Sequence, residues 1–212
     1  MASNQEKQTD PLLAPGRRSP RQSRSKETVR LIMEATIDVI ETEGFVGLTM
    51  QKIAKAAGIN VAAVYSYFPN KHQVVGELNN RLVEERRAIR DKEYERIIQC
   101  GAQWADAYAD SLRGLAKLLE EQRGYAALNR AMYASPSLLE LQRKNNEVAE
   151  QRMAGLLDRV NPGHSQRNRA RAKTLAAVIL SVLQLSQTEK DIDASKMLEE
   201  LVKLVRNYLK SG

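Results

Sequence analysis

From Ser25 onward, apolar residues return every three or four positions, the period of a helix with one face turned inward. Val29, Ile32, Thr36, Val39 and Ile40 share that face, and the helix they predict ends near Gly44. Thr49 stands where a cap belongs. It precedes a short helix over residues 50–57, with Ile53, Ala54 and Ala57 inward and Gly58 as its stop. Asn60 caps a third element from Val61 to Tyr67. Phe68-Pro69 breaks it, because proline disfavours helical geometry in the residue before it. Asn70 opens a fourth helix with Gln73 at capping-box spacing. That helix carries Val74, Val75, Leu78 and Leu82 and runs to about Lys92.

Beyond it the pattern stays helical over residues 103–122, 124–133, 136–160, 165–187 and 194–210, with no strand-like alternation. Asn161-Pro162-Gly163 is a turn, and Ser135-Pro136 starts a helix, since proline is tolerated in a first turn. Residues 1–24, rich in Pro, Ser, Gln and Arg, show no period and are expected to be disordered. The fold class is all-α.

Two short helices joined by a glycine-containing turn, after a longer helix, make a helix-turn-helix. One helix braces against the DNA backbone while the next presents its N-terminal end to the major groove. Ile53, Ile59 and Val64 supply the small core that fixes the crossing angle. Asn60, Val61, Ala62, Ala63, Ser66 and Tyr67 keep faces available to DNA.

The stretch from Leu48 to Lys71 resembles the DNA-binding signature of the TetR family of bacterial regulators. Ile53-Ala54, Gly58 and Tyr65-Ser66-Tyr67-Phe68-Pro69-Asn70-Lys71 carry the likeness, which is strong from about Lys26 to Leu82 and fades afterwards. The resemblance implies three N-terminal DNA-binding helices, a connecting fourth helix, and a C-terminal helical domain that dimerises and encloses a ligand pocket. The expected layout is a disordered basic arm (1–24), a DNA-binding domain (25–70) and a ligand-binding and dimerisation domain (71–212), with a connector over about 71–92.

By the same resemblance, Thr49 bonds a phosphate, Gln51 reaches a base edge, and Asn60 and its followers enter the groove. Tyr65 and Tyr67 meet phosphate or sugar, and Lys71 clamps a phosphate; Lys52 belongs to the same surface. The implied activity is repression at a palindromic operator, relieved by a small molecule of unknown identity. Val61, Ala62 and Ala63 depart from the commoner polar pattern. Small apolar groups meet thymine methyls but make no bidentate hydrogen bond, which shifts readout toward Gln51, Asn60, Ser66, the arm and DNA shape. Other readings stand beside these. Tyr65 packs on the first helix, Thr49 and Asn60 serve only as caps, or Lys52 and Lys55 form a solvated face.

The last two helices are the dimer candidates: Ala177, Val178, Ser181, Val182 and Leu185 on one, Leu198, Leu201, Val205 and Tyr208 on the other. Trp104 and Tyr108, four apart, with Tyr125, Leu128, Met132 and Tyr133 on the next helix, are the pocket candidates for an apolar or planar ligand; plain core is the competing reading. Asp106 and Asp110 read as surface or as counter-charges to a cationic effector. Arg167, Arg169, Arg171 and Lys173 are expected to bridge to Glu147 and Glu150 rather than to face an anion.

Net charge is +7 over 212 residues, with +4 in residues 1–26, −1 in residues 27–93 and +4 in the remainder. The basic arm reads equally as a phosphate or minor-groove contact and as a solubilising tail. Lone Cys100 excludes an intrachain disulfide, and the absence of an apolar leader or a ~20-residue apolar run points to the cytoplasm rather than export or a membrane. His72, His164 and Cys100 leave a zinc site almost nothing to work with, and no metal or cofactor is expected. Neither histidine sits in a plausible triad, so no catalytic residue and no enzyme is expected. A ligand-independent DNA-bending or nucleoid-type dimer is the remaining alternative, set against a helical domain larger than dimerisation requires.

Overall fold

The computed structural model describes residues 20–188 and 193–211. Among them are nine α-helices: α1 (Pro20–Gly47), α2 (Met50–Ala56), α3 (Val61–Tyr67), α4 (Lys71–Gln99), α5 (Trp104–Glu121), α6 (Tyr125–Met132), α7 (Pro136–Val160), α8 (Ser165–Thr188) and α9 (Ala194–Lys210). A short 3-10 turn, Gly101–Gln103, joins α4 to α5. No described helix is long and apolar enough to cross a membrane.

Local signals explain most boundaries. Asn70 accepts a hydrogen bond from the Gln73 amide, Ser135 from Leu138 and Asp193 from Ser195, each satisfying an amide that the first helical turn leaves free. Two boundaries differ from expectation. The first helix begins at Pro20, so residues 20–24, Arg21 and Arg24 among them, are helical in place of the expected irregular arm. Residues 1–19 lie outside the described residues. Gln and Arg are good helix formers, and an anchored helix extends through them without an apolar period. α1 is broken at Gly44, whose φ of 68° no ordinary residue adopts easily.

The second difference is α4, which continues past Lys92 to Gln99. A polar stretch masks its period, yet Ile97 at its far end is fully buried. α4 therefore spans both hydrophobic cores. The first joins Ile32, Leu48, Ile53, Val64 and Val74 to Leu128, Met132 and Leu138. The second gathers Ile97, Leu112, Leu157, Leu175, Val202 and Val205. Each such fully buried side chain stabilises by about 1.5–3 kcal/mol through burial alone. Because α6 contributes to the first core, the DNA-binding helices and the C-terminal helices share packing instead of meeting only through α4.

Candidate functional site

The helix-turn-helix forms as its residues dictate. Thr49 accepts from the Lys52 amide at 3.2 Å and Asn60 from the Ala62 amide at 2.8 Å. Gly58 takes φ 65° at the turn, where the Ile59 amide returns to the Ala54 carbonyl at 3.0 Å. Ile53 and Val64 are wholly buried and lock α2 against α3. Gln51, Asn60, Ala62, Ser66, Tyr65 and Tyr67 are left exposed, with Val61 and Ala63 half-buried. Tyr65 is 48% exposed, which leaves the reading that packs it on the first helix unsupported. The Ser66 hydroxyl donates to the Ala63 carbonyl at 2.7 Å, so its oxygen remains an acceptor toward solvent.

The two lysines are placed otherwise than expected for phosphate clamps. Lys71 Nζ donates to the carbonyls of Phe45 (3.0 Å) and Leu48 (3.1 Å) and lies 4.5 Å from the centre of the Phe45 ring. Lys52 Nζ reaches Glu43 and donates to the Gly47 carbonyl at 2.9 Å. Both tie off the broken end of α1, whose last carbonyls have no helical partner. Their visible work is to fix α2 relative to α1.

A cavity of about 180 Å³ lies between α4, α5, α6, α7 and α8. Tyr108, Tyr125 and Leu128 line it as expected; Trp104, Met132 and Tyr133 do not. Met132 is fully buried in the first core, because α6 turns that side toward α1. Tyr133 is 49% exposed, its hydroxyl donating to Gln184 Oε1 at 3.3 Å. Trp104 packs half-buried on the second core at the start of α5. The residues missed are polar: Asn79, Arg86, Arg87 and Arg90 on α4, Asn129 on α6, and Gln142, Asn145, Asn146 and Arg152 on α7. Charged residues read as solvated surface by default. The overlooked signal is positional, since Arg86, Arg90 and Tyr94 continue the four-residue spacing of the inward Leu78 and Leu82.

Within the cavity Arg86 bonds Gln122 Oε1 and lies 5.2 Å from the centre of the Tyr125 ring. Arg90 donates to Ser111 Oγ at 3.2 Å and lies 5.0 Å from Tyr94 and 5.8 Å from Tyr108. Burial pushes the Tyr108 hydroxyl well above the usual phenol range, with Tyr94 adding to it, and burial likewise raises Tyr125. Both phenols are neutral donors at physiological pH. Burial also pulls Arg86 below the ordinary guanidinium range.

Elsewhere, Asp106 pairs with Arg206 and Lys210, and Asp110 with Arg113 and Arg206, lashing α5 to α9. The expected bridges from α8 to Glu147 and Glu150 are absent among the described pairs. Glu147 pairs with Arg143, while buried Arg171 donates to the carbonyls of Tyr208 (2.9 Å) and Leu209 (3.0 Å), where an open helix end attracts a cation.

The expected dimer face divides. Ala177, Ser181 and Leu185 of α8 and Tyr208 of α9 are exposed, and so is Leu204 at 51%. Val178 is half-buried, and Val182 and Leu198 line a wide open groove of about 690 Å³ between α5–α6 and α8–α9. Leu201 and Val205 are 2% and 0% exposed inside their own chain's second core, so they are not presented to a partner.

Residues 32–78 match the family described as bacterial regulatory proteins, tetR family, and residues 103–209 match the tetracyclin repressor-like C-terminal domain. No curated protein matches the chain. Among solved structures, one described as a TetR-family transcriptional regulator from Syntrophomonas wolfei superposes with a TM-score of 0.71 at 12% identity, over 89% of this chain and 97% of that one. Another from Mesorhizobium loti gives 0.67 at 17% identity, over 89% and 98%. A transcriptional regulator from Saccharomonospora viridis, in complex with choline, gives 0.60 at 18% identity, over 87% and 96%. At these identities the structural likeness is one of fold.

Proposed function

Because this chain belongs to the tetR family of bacterial regulatory proteins, transcriptional regulators with a DNA-binding helix-turn-helix, we propose that it is a homodimeric repressor released from a palindromic operator when a small molecule fills its cavity. The observation that carries this is the placement of the cavity on α4 itself. Lys71, at the start of α4, holds the carbonyls that seat α2, and Arg86, Arg87 and Arg90 of the same helix border the cavity. A ligand that displaces α4 acts on the DNA-binding helices through one continuous element. It does so only to the extent that it binds the two conformations unequally. A regulator of the same fold solved in complex with choline supports a small-molecule role for this domain.

Gln51, Asn60, Val61, Ala62, Ala63 and Ser66 are the proposed groove contacts, with Thr49, Tyr65 and Tyr67 toward phosphate and sugar. Lys52 and Lys71 position α2 and lie close enough to its start to add positive potential there. Dimerisation uses α8 and α9 through Ala177, Ser181, Leu204 and Tyr208. Two-fold symmetry then places the recognition helices roughly 34–36 Å apart, one DNA turn. A DNA-bending dimer without an effector has no use for a cavity lined by its connector. Footprinting of the purified dimer on DNA upstream of its own coding sequence tests the reading, with a symmetric protected site as the expected result. Equal affinity for every duplex, random ones included, overturns it.

A further inference from the structure

The lining of the cavity is electrically one-sided. Four guanidiniums border it, those of Arg86, Arg87, Arg90 and Arg152, and no carboxylate among the described residues does. Arg87 and Arg152 have anions of their own, Glu84 and Asp91. The hydrogen bonds of Arg86 and Arg90 go instead to neutral oxygens, those of Gln122 and Ser111. Glu85, the chain neighbour of Arg86, is exposed and attracts it only through space, without a hydrogen bond or close ion pair, and burial outweighs that attraction. A partly desolvated guanidinium without an anion is unfavourable, and tyrosine rings only partly offset that cost. Two further donors wait in the same wall. Asn79, 4% exposed, has a buried Nδ2 with no hydrogen-bond partner, and so has Asn145. Apart from the amides of Asn129, Gln142 and Asn146, the rest of the wall is aromatic and aliphatic.

We propose that the cavity takes a small organic carboxylate, its anionic end between Arg86 and Arg90 and its apolar or aromatic body against Tyr94, Tyr108 and Leu128. The inference rests on reading the cavity as the sensing site, and it adds the chemical class of the effector. Arg86 and Arg90 sit one helical turn apart on one face, a spacing that lets two guanidinium forks meet one carboxylate. The cavity's size suits a compact body, and its apolar wall suits an organic acid over inorganic phosphate.

The placement also supplies a route to the DNA. Gln122, which accepts from Arg86 and donates to the Leu82 carbonyl at 3.4 Å, directly precedes Arg123 and Gly124 at the corner resting on α1. A carboxylate that takes Arg86 competes with Gln122 and loosens that corner. Ligand charge and DNA release are thereby coupled through one side chain.

The test is calorimetry on the full-length dimer with benzoate, phenylacetate and hexanoate. Benzamide, benzylamine and inorganic phosphate serve as matched neutral, cationic and non-organic probes. Operator binding is measured in parallel with and without each compound. At least one carboxylate is expected to bind and to weaken operator binding, while its neutral and cationic counterparts do neither. Arg86→Met and Arg90→Met should each weaken that carboxylate by roughly 10- to 100-fold, as loss of a charged hydrogen bond implies. Arg81→Gln, at an exposed arginine paired with Glu77, should leave it unchanged.

Should both methionine variants misfold, the wild-type preference for carboxylate over amide decides alone. Binding of benzamide or benzylamine in preference to every acid, or of no acid at all, overturns the anionic class while specific operator binding leaves the repressor reading standing. Binding of phosphate as tightly as any organic acid overturns the organic class. Carboxylate binding without any operator preference overturns the repressor reading instead.

Discussion

A β-carbon on Gly124 would lie 2.8 Å from Cγ2 of Ile37, closer than two carbon atoms approach without a shift. Gly124 has φ 78°, and it begins α6 directly against α1 of the DNA-binding domain. Arg123 beside it pairs with Asp38 and, at 3.8 Å, with Glu41. Both pairs are exposed and contribute little to stability, but they mark the register of the corner. A glycine is required here twice over, for its backbone angle and for its lack of a side chain.

Gly124→Ala is therefore expected to destabilise the protein by about 1–3 kcal/mol and to weaken operator binding, since α1 must move away. Gly114→Ala is its control. That glycine lies within α5 with open space around it, and alanine should stabilise by about 0.5–1 kcal/mol. Urea unfolding of both variants checks the pair. Equal effects at the two sites would show that the Ile37 contact is unimportant.

Lys71→Ala should lower stability by about 1–3 kcal/mol, because the carbonyls of Phe45, at the end of α1, and of Leu48, just beyond it, lose a charged donor. Operator affinity should fall by the same factor on matched and mismatched sites, as neither a seating contact nor a phosphate contact carries base identity. Thermal melting and binding to two sequences measure this. An unchanged melt would leave the phosphate contact as the residue's whole role.

Gln51 is exposed one turn into α2 and is the proposed reader of a base edge. Gln51→Ala should relax preference at one base-pair position by about 1–3 kcal/mol, leaving other positions and the melting temperature alone. Binding to a library of single-base operator variants reads it directly. Intact preference at every position would reduce Gln51 to a helix residue.

The two faces of α9 separate association from folding. Leu204→Glu, at an exposed apolar position, should yield a folded monomer in sedimentation experiments. Leu201→Ala should instead cost about 2–5 kcal/mol of stability through a cavity in the chain's own core. A dimer that survives Leu204→Glu would move the interface away from this helix.

Deletion of residues 1–19 removes three of the five basic residues of the arm expected over residues 1–24, since Arg21 and Arg24 lie on α1. The proposed arm contact then predicts that the slope of log affinity against log salt falls by about 0.9 for each phosphate released. An unchanged slope identifies the segment as a solubilising tail.

The sequence by itself determined every element whose cause is local. Thr49, Asn60, Gly58 and Phe68-Pro69 set the ends of α2 and α3 because caps, turns and proline act within a few residues. The helical period set the all-α class, and the ordered motif from Leu48 to Lys71 set the family. Tertiary structure decided what depends on which helix faces which. Periodicity placed Leu201, Val205 and Met132 on apolar faces without saying whether the neighbour is the same chain, a partner or a ligand, and all three proved to be core. It left Arg86 and Arg90 looking like surface, because a charged side chain is read as solvated until the helices around it are known to close. Lys71 likewise became a brace for α1 only when folding brought it beside residues more than twenty positions away. Distance along the chain hides such contacts, and packing alone creates them.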